Sequence, residues 1–187
     1  MPQIFEKICT NASRYGTLYV YNEKGGEDMA VGFPLYIDLK DNNCTVFGGG
    51  MTAYKAVVTL LRFHAKVTVI SPALCAQLAE LDAAGRIRYL RRRYSRGDCS
   101  NARLCVAATD DRAVNIAVSD ECKNKSIPVA VEHPKGFGTF TFPHAVICRN
   151  TVVTVSGGAS HARQAFVMEK LEKALPEWLD EYEKNKQ

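Results

Sequence analysis

The stretch Cys44-Thr45-Val46-Phe47-Gly48-Gly49-Gly50-Met51-Thr52-Ala53 constrains the chain more than any other. A short β-rich run meets three glycines and then a stretch of helical period, which reads as a strand, a tight turn and a helix start. Gly48, Gly50 and Ala53 fit a G-x-G-x-x-G/A pattern. In that pattern the first glycine permits the turn, the second lets the backbone approach a pyrophosphate, and the third small residue lets helix and strand pack closely. The helix N-terminus offers free N–H groups and partial positive charge to the phosphates.

The surroundings lift this pattern above a chance glycine turn. Ala53, Ala56, Val57, Leu60, Leu61 and His64 recur at i, i+3, i+4, i+7, i+8 and i+11, which is one face of a helix. Lys66-Val67-Thr68-Val69-Ile70 follows as a second β-branched run. Strand, turn, helix and strand thus fall within about thirty residues, the length of a βαβ crossover.

The rest of the chain extends this unit. Ser71-Pro72 can cap and open a helix over 75–84, ended by Gly85, with a third strand at 87–90. An acidic residue commonly takes the ribose hydroxyls after the second strand. Ser71 stands there instead, which leaves the NAD fingerprint incomplete; backbone groups and a serine hydroxyl can still serve NAD, and the choice between NAD and NADP stays open. Residues 104–108 are wholly apolar, as a central parallel strand should be. Thr109 or Asp110 can cap the next helix, in which Val114, Ala117, Val118 and Cys122 mark the buried face. A fifth strand at 128–131 runs into Glu132-His133-Pro134. Segments 139–142, 145–149 and 151–155 then read as short antiparallel strands. After the loop 156–160, Ser160 can cap a final helix that Pro176 kinks or restarts, and the charged tail 181–187 should fray.

The expected fold is therefore α/β: a Rossmann-like, mostly parallel sheet with helices on both faces, then a small antiparallel β extension and a C-terminal helix. The expected division is an N-terminal extension over 1–32, the Rossmann-like domain over 33–135, the β extension over 136–160 and a helical segment over 161–187. No apolar run approaches a membrane span and the first ten residues carry no signal-peptide pattern, so a cytoplasmic location without membrane partners is expected. Seven cysteines include no C-x-x-C pair, which favours reduced, buried thiols over disulfides or a zinc site. Arginines concentrate over 86–103, but no aromatic interleaving or groove-reading motif points to nucleic acid. Apolar positions on the last helix favour a homodimer. Of the four histidines, His64 is expected on the packed helix face, and His133 alone falls at a ligand-facing strand end.

Six motifs in order then carry a resemblance: Phe33-Pro34-Leu35, Val46-Phe47-Gly48-Gly49-Gly50-x-x-Ala53, Val67-Thr68-Val69, Ala107-Ala108-Thr109-Asp110-Asp111-x-x-Val114-Asn115, Phe140-x-Phe142-Pro143 and Ser156-Gly157-Gly158-Ala159-Ser160. Over about 33–175 the chain resembles the siroheme synthase N-terminal domain family, which contains precorrin-2 dehydrogenases, some of them also sirohydrochlorin ferrochelatases. The resemblance implies NAD-linked oxidation of precorrin-2 to sirohydrochlorin, in some members followed by insertion of ferrous iron or cobalt. Beside Gly48 and Gly49 of the glycine turn, which are expected to bind the cofactor, it implies cofactor contacts at Gly50, Met51, Thr52, Ser71, Pro72, Ala73, Thr109 and Asp110. Asn115, Ser160, Arg91 and Arg93 are expected to meet a tetrapyrrole bearing multiple carboxylates.

The chain departs from the family at one position. The family places an aspartate after the fifth strand, and here the segment reads Val131-Glu132-His133-Pro134-Lys135. Aligned on Pro134, Glu132 takes its place; aligned without a gap from the preceding helix, His133 does. Both are carried as catalytic candidates, with His133 also a candidate metal contact.

Overall fold

The computed structural model describes residues 33–156 and 161–186. The expectations for 1–32 and for Ser160 fall outside the described residues. Five strands, β1 (Asn43–Phe47), β2 (Lys66–Ser71), β3 (Arg88–Arg91), β4 (Leu104–Ala107) and β5 (Val129–Val131), form a sheet in the order β3-β2-β1-β4-β5. Every pairing is parallel. Three helices connect them: α1 (Met51–Arg62), α2 (Ala76–Ala83) and α3 (Arg112–Asn124).

Side chains alternate across a strand, and here both sets are apolar. Cys44 and Val46 of β1 and Val67 and Val69 of β2 pack with Val57 and Leu60 of α1 and Leu78 of α2. Phe47, Ile70, Cys105 and Val129 face the other way, against Val118 and Cys122 of α3. The sheet is thus covered on both faces, as expected. Burying a side chain such as Val57 or Leu60 contributes roughly 1.5–3 kcal/mol.

The antiparallel extension is a two-stranded hairpin, β6 (His144–Cys148) with β7 (Thr151–Val155). The strand expected over 139–142 does not form. Its alternating Thr-Phe-Thr-Phe pattern is met by anchoring instead of pairing: Phe140 and Phe142 meet edge to face, with centroids 5.2 Å apart, and pack on the core. Thr139 bonds the start of β5, its amide donating to the Val129 carbonyl and its Oγ1 accepting from the Val129 amide. His64 also departs from expectation. The helix stops at Arg62, and His64 is an exposed residue at φ 58°, where its carbonyl holds the Asp41 amide.

Residues Pro34–Thr154 form one compact unit, and the chain from Val155 belongs to another. In the latter, α4 (His161–Lys184) runs through Pro176 without a break and takes in most of the tail expected to fray. No helix among the described residues is long and apolar enough to cross a membrane.

The loop between β3 and β4 is tied down by acidic side chains. Asp98 takes a two-pronged bond from Arg92, at 2.7 and 2.8 Å, so this arginine is spoken for. Glu121 of α3, 5 % exposed, accepts from the Tyr94 hydroxyl, the Gly97 and Cys99 amides and Lys125 Nζ. Burial alone would raise the Glu121 carboxyl, but Lys125, Tyr94 and the two amides outweigh it and hold it at about 2, against 4.5 for the free group. A folded value below the unfolded one stabilises fully above about pH 4.5 and is lost as pH falls toward 2. Glu121→Gln should flatten the acid limb of the unfolding midpoint in that window; an unchanged limb would assign the transition to other carboxylates.

Candidate dinucleotide and substrate site

The register aligns the strand ends in one row: Leu90, Ile70, Phe47, Ala107 and Val131 are neighbours across the sheet. The next residue of each strand forms the ligand-facing edge. Arg91 pairs with Ser71. The Gly48 amide donates to the Ile70 carbonyl at 3.0 Å, Ala108 to Phe47 at 2.8 Å, and Glu132 to Ala107 at 3.0 Å. The glycine turn therefore lies between Ser71 and Ala108, with Glu132 one strand beyond. The chain reverses its direction of winding between β1 and β4, and this is where open parallel sheets bind ligands.

Each glycine of the turn has a separate physical reason. Gly48 sits at φ +118°, and a Cβ there would lie 2.2 Å from the Ala108 carbonyl oxygen. A Cβ on Gly49 would come within 1.8 Å of the Ala73 oxygen, because the segment after β2 folds over it and the Cys75 amide donates to the Gly49 carbonyl at 2.7 Å. Gly50 is different: a Cβ would meet nothing within 4 Å. It is the N-cap of α1, with no side-chain cap and no acidic residue in the first turn. Met51 and Thr52 of that turn are exposed, whereas Ala53 is fully buried against the sheet. An uncapped helix N-terminus with open space over its glycine fits a pyrophosphate.

Two caps differ from expectation. Ser71 ends β2 and is buried, and α2 begins only at Ala76 with Cys75 as N-cap, so Ser71-Pro72 opens no helix. Pro72 and Ala73 remain exposed in the connection. Asp111, neither Thr109 nor Asp110, caps α3, its Oδ1 accepting from the Ala113 and Val114 amides. Asp110 is left exposed at the edge.

Asn115 also takes a different part. Expected to meet substrate, it is fully buried, and its amide is fully engaged. Nδ2 donates to the Thr109 carbonyl at 2.8 Å and the His133 carbonyl at 2.7 Å, and Oδ1 accepts from the Thr109 amide at 3.1 Å and its hydroxyl at 2.7 Å. Asn115 is thus a clamp between the exits of β4 and β5. Asn115→Ala would leave these groups unpartnered, and a loss of about 2–4 kcal/mol is expected in denaturant unfolding. Unchanged stability with a raised KM would instead return it to the substrate.

Glu132 and His133 are both exposed at the end of β5, with Pro134 buried behind them. Arg91 and Arg93 are exposed on the flank beyond β2. The sequence did not announce the Asn115 clamp or the hub at Glu121, although Glu121 and Lys125 stand at the i, i+4 spacing of a helical ion pair.

An uncapped helix and three glycines at the switch point of a 3-2-1-4-5 parallel sheet define a dinucleotide-binding α/β domain. The sequence matches the family model described as "Putative NAD(P)-binding" over residues 35–144. It is similar to the siroheme synthase of Nitrosospira multiformis, 38 % identical over 148 residues, covering 76 % of this chain and 31 % of the relative. The siroheme synthase of Thioalkalivibrio sulfidiphilus is 40 % identical over 147 residues, covering 77 % and 30 %. The chain therefore spans about three-tenths of the length of these relatives. Among solved structures, "SirC, precorrin-2 dehydrogenase" matches with a TM-score of 0.65 and 26 % identity, over 76 % of this chain and 71 % of that one. The chain belongs to this NAD(P)-binding family, and within it to the siroheme synthase N-terminal domain family.

Proposed function

We propose that the protein oxidises precorrin-2 to sirohydrochlorin with NAD, in the cytoplasm. The observation that carries this reading is the shared edge, where the Gly50 cradle and Glu132 lie at the ends of strands separated by one other. The turn Gly48 to Gly50 and the first turn of α1, with Met51 and Thr52, would hold the pyrophosphate. Ser71, Pro72 and Ala73 would border the adenosine side, and Thr109 and Asp110 the nicotinamide side. Bound NAD supplies the hydride acceptor.

In the oxidation a hydride leaves a carbon of the tetrapyrrole and a proton leaves with it. Glu132 accepts that proton: its amide is pinned to the β4 ladder through Ala107, which fixes where its carboxylate starts from. His133 is the second candidate, favoured by the Asn115 bond that anchors its carbonyl. The same groups would accept pyrrole protons if ferrous iron or cobalt, as substrate, were inserted into the product. Arg91 and Arg93 offer charge to the carboxylates of the macrocycle. Exposed Phe166, Trp178 and Tyr182 on α4 support a homodimer.

The purified chain with precorrin-2 and NAD under anaerobic conditions tests the reading. NADH should form in step with loss of precorrin-2. No NADH at high protein concentration, with tetrapyrrole or NAD still bound, would leave a binding module; metallation of sirohydrochlorin without NADH would leave a chelatase.

A further inference from the structure

Three of the cysteines converge away from the dinucleotide edge. Cys99 comes from the β3–β4 connection, Cys105 from β4 and Cys122 from α3. Their Sγ atoms all lie within 4.8 Å of one another, and all three residues are fully buried. The sequence hid this, because the spacings match no metal motif and only the fold brings the sulfurs together. Cys105 precedes Thr109 by four residues, about 13 Å along an extended chain, so the cluster is separate from the nucleotide turn.

We propose that Cys99, Cys105 and Cys122 form a three-sulfur site for a soft, thiophilic cation of the Cu(I) class. Sulfur bonds of about 2.3 Å in a trigonal plane set the three sulfurs about 4.0 Å apart, a spacing this cluster reaches with little movement. Soft thiolates select Cu(I), whereas structural zinc takes four ligands. Among the described residues no fourth cysteine, histidine or carboxylate joins the cluster.

The site is built in advance. Glu121 holds the Gly97 and Cys99 amides, and the Arg92–Asp98 pair closes the same loop, so Cys99 is seated before any ion arrives. Bound as thiolates, the three sulfurs and a monovalent ion carry two net negative charges. Each sulfur that ionises breaks its S–H bond, gives the proton to solvent and forms a bond to the ion, with no change in oxidation state. A cavity of about 300 Å³ lined by Gly97, Asp98, Thr45 and Ile70 opens beside the loop that carries Cys99.

The test is a titration of the full chain, reduced and anaerobic, with Cu(I) in the presence of a competing chromogenic chelator. One ion per chain should be retained, and the unfolding midpoint should rise on loading. Zn(II) in the same assay should give neither effect. Cys105→Ser, and Cys99→Ser in the loop should the core variant fail to fold, should weaken retention at least about a hundredfold. Cys148→Ser should leave it unchanged. X-ray absorption of the loaded protein should report three sulfur neighbours. No retained Cu(I), or retention equal in Cys99→Ser and the parent chain, would overturn the site.

Discussion

Glu132→Gln is expected to lower NADH formation from precorrin-2 by about a hundredfold or more, within the range that positioned proton transfer contributes, and to leave NAD affinity nearly unchanged. Glutamine keeps the length and shape of the side chain but cannot take a proton at its amide. The ladder bond from the Glu132 amide to the Ala107 carbonyl belongs to the backbone and survives the change, so folding is not expected to suffer. His133→Asn should cost less than about tenfold, because Glu132 takes the proton and the Asn115 bond to the His133 carbonyl survives the change. The reverse outcome would move the proton-accepting role to the imidazole. Because glutamate is one methylene longer than the family aspartate, Glu132→Asp is an informative companion: displacement by about an ångström can cost on the order of a hundredfold.

The second large effect separates binding from folding within three consecutive residues. Gly50→Ala should fold with stability equal to the parent or about 0.4–1 kcal/mol greater, since its backbone is in the extended region and its Cβ meets nothing. NAD affinity should nonetheless fall at least about tenfold, because the new methyl occupies the space a pyrophosphate would approach. Gly49→Ala should do the opposite kind of damage. Its Cβ would collide with the Ala73 carbonyl, backbone that cannot swing aside, and a loss of roughly 3 kcal/mol or more is expected. Thermal unfolding and NAD titration on the two variants check both. Equal affinity in Gly50→Ala would place the phosphates elsewhere.

The fold was largely legible because its signals are local. Period 3.6 over 53–61 gave α1, β-rich runs gave β1 and β2, a wholly apolar run gave β4, and both-face burial followed from their apolar character. Segment 139–142 was misread because alternation reports which side chains are buried, not whether the backbone is paired. Phe140 and Phe142 supply the burial, while the Thr139 hydroxyl replaces a ladder bond.

The site was legible in position but not in role. Glycine spacing located the turn, yet only the packed structure separates Gly48 and Gly49, which are structural, from Gly50, which is open. Asp111 outcompeted Thr109 and Asp110 as cap because Thr109 is drawn into the Asn115 clamp. Asn115 itself looked like a substrate ligand, since a polar residue on a helix gives no sequence sign of whether it faces solvent or two strand ends. The cysteine cluster was invisible for a related reason: residues from a loop, a strand and a helix meet only through the crossover.

The most direct measurement is a crystal structure of the chain with NAD and a tetrapyrrole bound. The pyrophosphate should lie over Gly50 at the N-terminus of α1, with the Glu132 carboxylate facing the macrocycle. A dinucleotide bound away from the β1–β4 switch point, or a macrocycle that neither Glu132 nor His133 reaches, would contradict the account.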